Sequence, residues 1–275
     1  MKALLKNPYL ISIITLIVFL GILKIPLDFI IEDIGWSDRV SDHLNRLTKN
    51  ALIIALAIVA IKKLKLVELS GLSNRIKWSN KYLILIPFYL VAIGIGSSIG
   101  TDLSEVIMME AILLSLAMLS VGFVEEFIFR GIIQAAFLKK FAPRKNGILI
   151  SIFLPALMFG SLHLVNLDTS NIAASISQAT YAFFIGASFG AILLKTNRLI
   201  PLAIMHGIID IVFSINTLLD DGVMAGELEQ QDVMSAIGST LLVVPLFIAG
   251  LLIIRKISKD SILEKIEMSK ESAIQ

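Results

Sequence analysis

Residues 106–138 read VIMMEAILLSLAMLSVGFVEEFIFRGIIQAAFL, an apolar run interrupted by only four charges, Glu110, Glu125, Glu126 and Arg130. A stretch of about 20 mostly apolar residues is enough to cross a bilayer. Inside lipid the backbone has no water to bond to, so such a stretch is expected to be helical. As one straight helix it would be about 50 Å long, against a hydrocarbon core of about 30 Å. The segment is therefore expected to be tilted, to be broken, or to run past the membrane at Gln134–Lys140.

Working outward, seven more segments have the same character: Tyr9–Ile31, Leu44–Ile61, Tyr82–Gly100, Gly147–Val165, Ile172–Leu194, Leu199–Leu218 and Ser235–Ile254. The chain has 275 residues, 56% of them hydrophobic, and a mean hydropathy of +0.87. A soluble domain lies near 45–50% apolar, so the excess points to lipid as the solvent. The expected fold is all-α, a polytopic membrane bundle of about eight helices. Residues 1–256 are read as one transmembrane domain with a motif-bearing core at about 106–218, and residues 257–275 as a polar cytoplasmic tail. No small-residue cleavage site follows the first apolar run, which reads as an uncleaved helix.

Charge placement tests the count. Lys and Arg are expected on alternate, cytoplasmic loops. Nineteen of the 24 fall there: Lys2 and Lys6; Lys62, Lys63, Lys65, Arg75, Lys77 and Lys81; Lys139, Lys140, Arg144 and Lys145; Lys195 and Arg198; and Arg255, Lys256, Lys259, Lys265 and Lys270. The opposite loops hold only Arg39, Arg46 and Lys49, and the last of them is acidic, with Asp220, Asp221, Glu227, Glu229 and Asp232. Both termini are expected in the cytoplasm. The net charge of +2 gives no reason to expect a nucleic-acid partner. With no cysteine there is no disulfide and no thiolate nucleophile.

Charges within spans are costly and mark function when they face the bundle interior. Lys24 and Asp28 are one turn apart near a helix end, where an ion pair or snorkelling accounts for both. Glu110 is expected at the interface. Glu125, Glu126, Arg130, His163, His206 and Asp210 are different, because they lie deep in three separate helices. Glu126 and Arg130 are i and i+4 and are expected to pair. Glu125 is rotated about 100° from Glu126 and is expected to point toward a neighbouring helix, free for chemistry. His206 and Asp210 are also i and i+4. Counted at 1.5 Å per residue, Glu125, His163 and His206 reach overlapping depths, so one intramembrane pocket is expected.

The pattern Glu125-Glu126-x-x-x-Arg130, Phe159-x-x-x-His163 and His206-x-x-x-Asp210 resembles the CAAX-protease and bacteriocin-processing family. That family includes the type II CAAX prenyl endopeptidases and the Abi proteins. The resemblance covers about Gly122 to Ser214. It implies a multi-pass intramembrane endopeptidase of the cell membrane, with a prokaryotic plasma membrane as the expected setting. Its expected substrate is a membrane-associated or lipid-modified peptide or protein. By the same resemblance, Glu125 and His163 activate water, His206 and Asp210 stabilise the tetrahedral intermediate, and Glu126 and Arg130 hold the site. The family's last position is Asn or Asp, and here it is Asp210.

Zinc remains an open cofactor reading. Glu125, His163 and His206 form a donor set common in catalytic zinc sites, although the chain has no HExxH, and a metal-free glutamate mechanism uses the same residues. Two other functions fit the buried charges: a non-catalytic membrane scaffold or bacteriocin-immunity protein, and a proton-coupled transporter. The absence of an evident inverted repeat weighs against transport.

Overall fold

A computed structural model describes residues 7–27, 37–102, 104, 106–165, 171–219 and 233–271. Among them the chain forms nine helices and no strand. They are α1 (Pro8–Leu23), α2 (Asp38–Lys63), α3 (Phe88–Ser97), α4 (Met108–Phe141), α5 (Gly147–Leu162), α6 (Ile172–Thr196), α7 (Leu199–Ser214), α8 (Val233–Ile254) and α9 (Lys259–Glu271). Five of these segments are long and apolar enough to cross a membrane: α2, α4, α6, α8, and α7 with its 3-10 extension to Leu218. The remaining apolar segments, Pro8–Leu23, Lys81–Ser97 and Gly147–Leu162, are shorter. The chain is a multi-pass helical membrane protein.

Each of the eight segments expected from sequence contains a helix, but several bounds move. The first ends at Leu23 rather than Ile31, because Pro26 lies just ahead and a proline cannot extend a helix through its missing N–H. Residues 28–31 of that segment, and with them Asp28 and its expected pairing to Lys24, lie outside the described residues. The third segment is broken by Pro87 into a 3-10 turn, Lys81–Leu85, and the short α3. The second begins earlier than Leu44, at Asp38, where the Ser37 hydroxyl caps the Val40 N–H.

The long segment is not broken. It runs as one 34-residue helix, Met108–Phe141, with a π-helical stretch over Phe127–Gln134. Every residue from Glu126 to Leu138 is buried. Gln134 is sealed inside the bundle and donates from Nε2 to the Gly190 carbonyl at 3.0 Å. A π turn inside an α-helix shifts the side chains that follow it and is often found at functional sites.

Helix α4 is the centre of the bundle, with α2 on one side, α7 on another, and α6 and α5 beyond the π stretch. Without a hydrophobic force between helices in lipid, close approach depends on small residues. A Cβ on Gly122 would lie 2.4 Å from the Gly207 nitrogen, and one on Gly207 would lie 2.7 Å from the Leu119 Cα. These contacts are with backbone, which cannot step aside. On α6, a Cβ on Gly190 would meet Gln134 Oε1 at 2.6 Å, and one on Gly186 would meet Ala156 at 3.2 Å. Polar side chains add directional ties. Asn50 Nδ2 donates to Ser120 Oγ at 2.8 Å between α2 and α4, and Ser188 Oγ donates to the Leu246 carbonyl at 3.0 Å between α6 and α8.

Gly122→Ala is therefore expected to force α4 and α7 apart and to destabilise the bundle by about 1–3 kcal/mol or more. Unfolding of the purified variant in mixed detergent micelles measures this. Unchanged stability would contradict the close α4–α7 contact.

The basic loops share one end of the bundle. Lys139 Nζ donates to the Leu64 and Lys65 carbonyls, Asn80 Nδ2 to the Lys195 carbonyl, and Lys195 Nζ to the Lys256 carbonyl. The tail is a helix laid across that end. Ile262 and Ile266 of α9 enter the main apolar core, Lys259 Nζ donates to the Pro143 carbonyl, and Ser269 Oγ to the Lys65 carbonyl. At the other end, Ser37 Oγ donates to Glu110 Oε1 at 3.1 Å, and Arg39 reaches both Glu110 and the Leu218 carbonyl.

Within α9, Lys265 is buried and donates to the Leu194 carbonyl and to Asn197 Oδ1. Burial pushes its ammonium down to about 8, with Glu264 opposing the shift and Lys195 adding to it. An undocked lysine stays near 10.5 and binds more protons than the docked one. Docking of α9 is then weakest below pH 8 and strengthens as pH rises from about 8 toward about 10.5. Hydrogen exchange of residues 259–271, corrected for intrinsic rate, is expected to slow across that window, and Lys265→Met is expected to abolish the trend.

Candidate active site

Three helices deliver the site. The α4–α7 contact at Gly122 and Gly207 brings the acidic pair of α4 against His206, the residue preceding Gly207. His206 then inserts between the two glutamates. Its Nδ1 lies 2.8 Å from Glu126 Oε1, and its Nε2 lies 3.3 Å from Glu125 Oε2. The 100° between adjacent helical residues thus separates the two carboxylates onto opposite nitrogens of one ring. Glu125 does face a neighbouring helix, but Glu126 faces the same imidazole, which the sequence did not indicate.

Arg130 NH1 also lies 2.8 Å from Glu126 Oε1, an i,i+4 ion pair. An ionised carboxylate only accepts hydrogen bonds, so His206 donates its Nδ1–H to Glu126. The row Arg130, Glu126, His206 is closed to its surroundings: the side chains are 2%, 0% and 6% exposed. Glu125 and Asp210, by contrast, are 19% and 25% exposed. Asp210 Oδ1 stands 3.9 Å from His206 Nε2, on the same side as Glu125. Two neighbouring glutamates therefore differ in kind. One is locked in a buried network, and the other stands at the open edge of the ring.

His163 comes from the C-terminal end of α5. Its Nδ1 is 2.9 Å from the Phe159 carbonyl one turn back, which leaves Nε2 for other partners. Gly160 nearby permits the approach of α6, since a Cβ there would lie 2.5 Å from the Ala179 carbonyl. Phe159 is the common neighbour of the site. Its ring centre is 5.0 Å from that of His163, 6.1 Å from that of His206, and 5.0 Å from the Arg130 guanidinium carbon. Glu125, Glu126, Arg130, His206 and Asp210 thus gather where α4 faces α7, and His163 of α5 is linked to them through the shared Phe159 ring. His43 stands apart on α2, beside Asp42.

The sequence leaves the zinc reading open. Among the described residues no three His, Asp or Glu side chains are placed to hold a metal ion.

Sequence reading missed three positioning features. Gly122 and Gly207 set the α4–α7 distance, and Phe189 of α6 packs its ring edge-on against His206 at 5.3 Å. The small-residue pairs Ala203-x-x-x-Gly207 and Gly186-x-x-x-Gly190 were the available signal, since that spacing marks close helix contacts in membranes.

Residues 107–212 match the family model described as Type II CAAX prenyl endopeptidase Rce1-like. No curated protein and no solved structure matches the chain. The matched segment contains Glu125, Glu126, Arg130, His163, His206 and Asp210. Over residues 107–212 the chain is therefore similar to the Rce1-like family of type II CAAX prenyl endopeptidases, a family of membrane-embedded proteases.

Proposed function

We propose that this protein is an intramembrane endopeptidase that hydrolyses a peptide bond in a membrane-associated or lipid-modified peptide, with Glu125 as the general base for water. The observation that carries the reading is the asymmetry of the acidic pair: Glu126 is sealed against Arg130 and His206 Nδ1, whereas Glu125 is partly exposed at His206 Nε2.

The chemistry follows from that division. Glu125 accepts a proton from the attacking water, with His163 Nε2 helping to orient it. The water oxygen bonds to the scissile carbonyl carbon, and the carbonyl electron pair moves onto oxygen. His206 Nε2–H donates to that oxyanion, while Glu126 fixes the ring through Nδ1. Asp210, beside His206, supplies negative charge to balance the protonated ring. The C–N bond then breaks, and Glu125 returns the proton to the leaving amine. Arg130 pairs with Glu126 without touching substrate.

Both termini and the basic end of the bundle are taken to face the cytoplasm of the cell membrane, with residues 1–256 acting as one membrane domain. The test is cleavage of a panel of membrane-anchored peptides, with and without a prenyl group, by the protein in liposomes. Discrete products identified by mass spectrometry are expected, and they are expected to persist with a chelator. Absence of product from every peptide would overturn the reading. A protein acting by binding alone would keep its cellular effect when Glu125 and His163 are both changed to alanine.

A further inference from the structure

Arg130 has a fully buried guanidinium with one carboxylate oxygen beside it, and that oxygen is shared with His206. Aromatic rings flank it as well. The Phe159 ring lies 5.0 Å from the guanidinium carbon, and the Phe189 ring lies 5.8 Å away. The same two rings hold the imidazole. His206 meets Phe159 at 6.1 Å and 88°, and Phe189 at 5.3 Å and 80°, both edge-on. Two phenyl rings from two helices, α5 and α6, therefore touch both ends of the Arg130–Glu126–His206 row.

The physics gives this arrangement a purpose. A ring face attracts a cation through its quadrupole, more strongly when both are desolvated. An edge-on ring restricts rotation of the imidazole it abuts, and a filled apolar wall keeps water from competing for Glu126. Phe189 is 0% exposed, and the next residue, Gly190, lets α6 come close enough to α4 for the ring to reach. Phe159 also packs against His163, so it serves two imidazoles. Phe189 is in ring contact with His206 and touches the site from α6.

We propose that Phe189 is a positioning residue for the hydrolytic site. With Phe159 it clamps Arg130 and His206 so that the His206 Nδ1–H stays on Glu126 and Nε2 stays directed at Glu125 and the substrate carbonyl. The catalytic consequence rests on the proteolytic reading above, while the clamp itself is a property of the folded site.

The chain has three histidines, so histidine-selective ¹⁵N labelling gives a simple spectrum. In the wild type the His206 Nδ1–H is expected as a resonance protected from exchange with water. In Phe189→Leu that protection is expected to vanish while His163 and His43 are unchanged. Peptide cleavage by the same sample is expected to lose about 10- to 100-fold in kcat, the scale of a small misplacement of a catalytic group. KM is expected to hold within about twofold. Phe189→Met fills a similar volume with a flexible chain and gives the same comparison if the leucine variant does not fold.

A protected Nδ1–H in a folded Phe189 variant overturns the clamp, whether or not cleavage falls. Loss of protection with kcat unchanged also overturns the positioning role. If the wild type cleaves no peptide yet protection is lost in the variant, the clamp stands and the proteolytic reading fails.

Discussion

Glu125→Gln is expected to cut peptide cleavage by about 10²–10⁴-fold, the contribution of a positioned general base. The substitution keeps shape and polarity but removes the ability to take a proton from water. Stability is expected to change little. The Glu125 side chain is 19% exposed and stands outside the sealed Arg130–Glu126–His206 row, so an amide there has room to find partners. Rates on a membrane-anchored peptide, together with unfolding in mixed micelles, separate the two effects. A variant that cleaves at the wild-type rate would remove Glu125 from the chemistry. A variant that fails to fold would move Glu125 into the structural network.

Arg130→Met is expected to be the most destabilising single change in the site, at about 3–5 kcal/mol, because it leaves a buried carboxylate without its cation. Glu126 is 0% exposed. The guanidinium also packs against Phe159 and Phe189, so the change removes packing as well as charge. The double variant Arg130→Met, Glu126→Leu is expected to recover most of that loss, since an apolar replacement of a buried pair is often neutral or stabilising. Activity is not expected to return, because His206 then has no acceptor for its Nδ1–H. Unfolding and cleavage of the single and double variants, measured side by side, check both points. A stable and active double variant would show that Glu126 does not position the imidazole.

Both expectations concern residues that are conspicuous in the sequence. A charge inside an apolar run stands out because lipid makes it costly, so Glu125, Glu126, Arg130, His163, His206 and Asp210 were all legible there. The meeting of Glu125, Glu126 and Asp210 with His206 was legible too, from depth along each helix. The division of labour between the glutamates was only half legible. Helical rotation separates Glu125 from Glu126, but it does not say that one imidazole sits between them. That depends on how closely α7 approaches α4, which is set by Gly122 against Gly207.

Aromatic residues are harder to read. Phe189 lies in an apolar helix where any large side chain suits lipid, so nothing in its spacing distinguishes a ring touching His206 from one touching acyl chains. The π-helical stretch over Phe127–Gln134 has the same problem, because a residue buried on all sides carries no periodicity. The breaks were different. Pro26 and Pro87 mark the early end of α1 and the division before α3, and proline chemistry predicts both. The docking of α9 was hidden by its polarity: two isoleucines among charged residues seat it at the basic end, together with hydrogen bonds from Lys259, Lys265 and Ser269.

The most direct measurement is a single-turnover cleavage in ¹⁸O-labelled water, with the product and the enzyme both analysed by mass spectrometry. Attack by a water that Glu125 deprotonates places one ¹⁸O in the new carboxyl terminus of the peptide and none in the enzyme segment containing Glu125. Label found in the Glu125 side chain would mean that this carboxylate attacks the substrate itself, and its role as a general base would be contradicted.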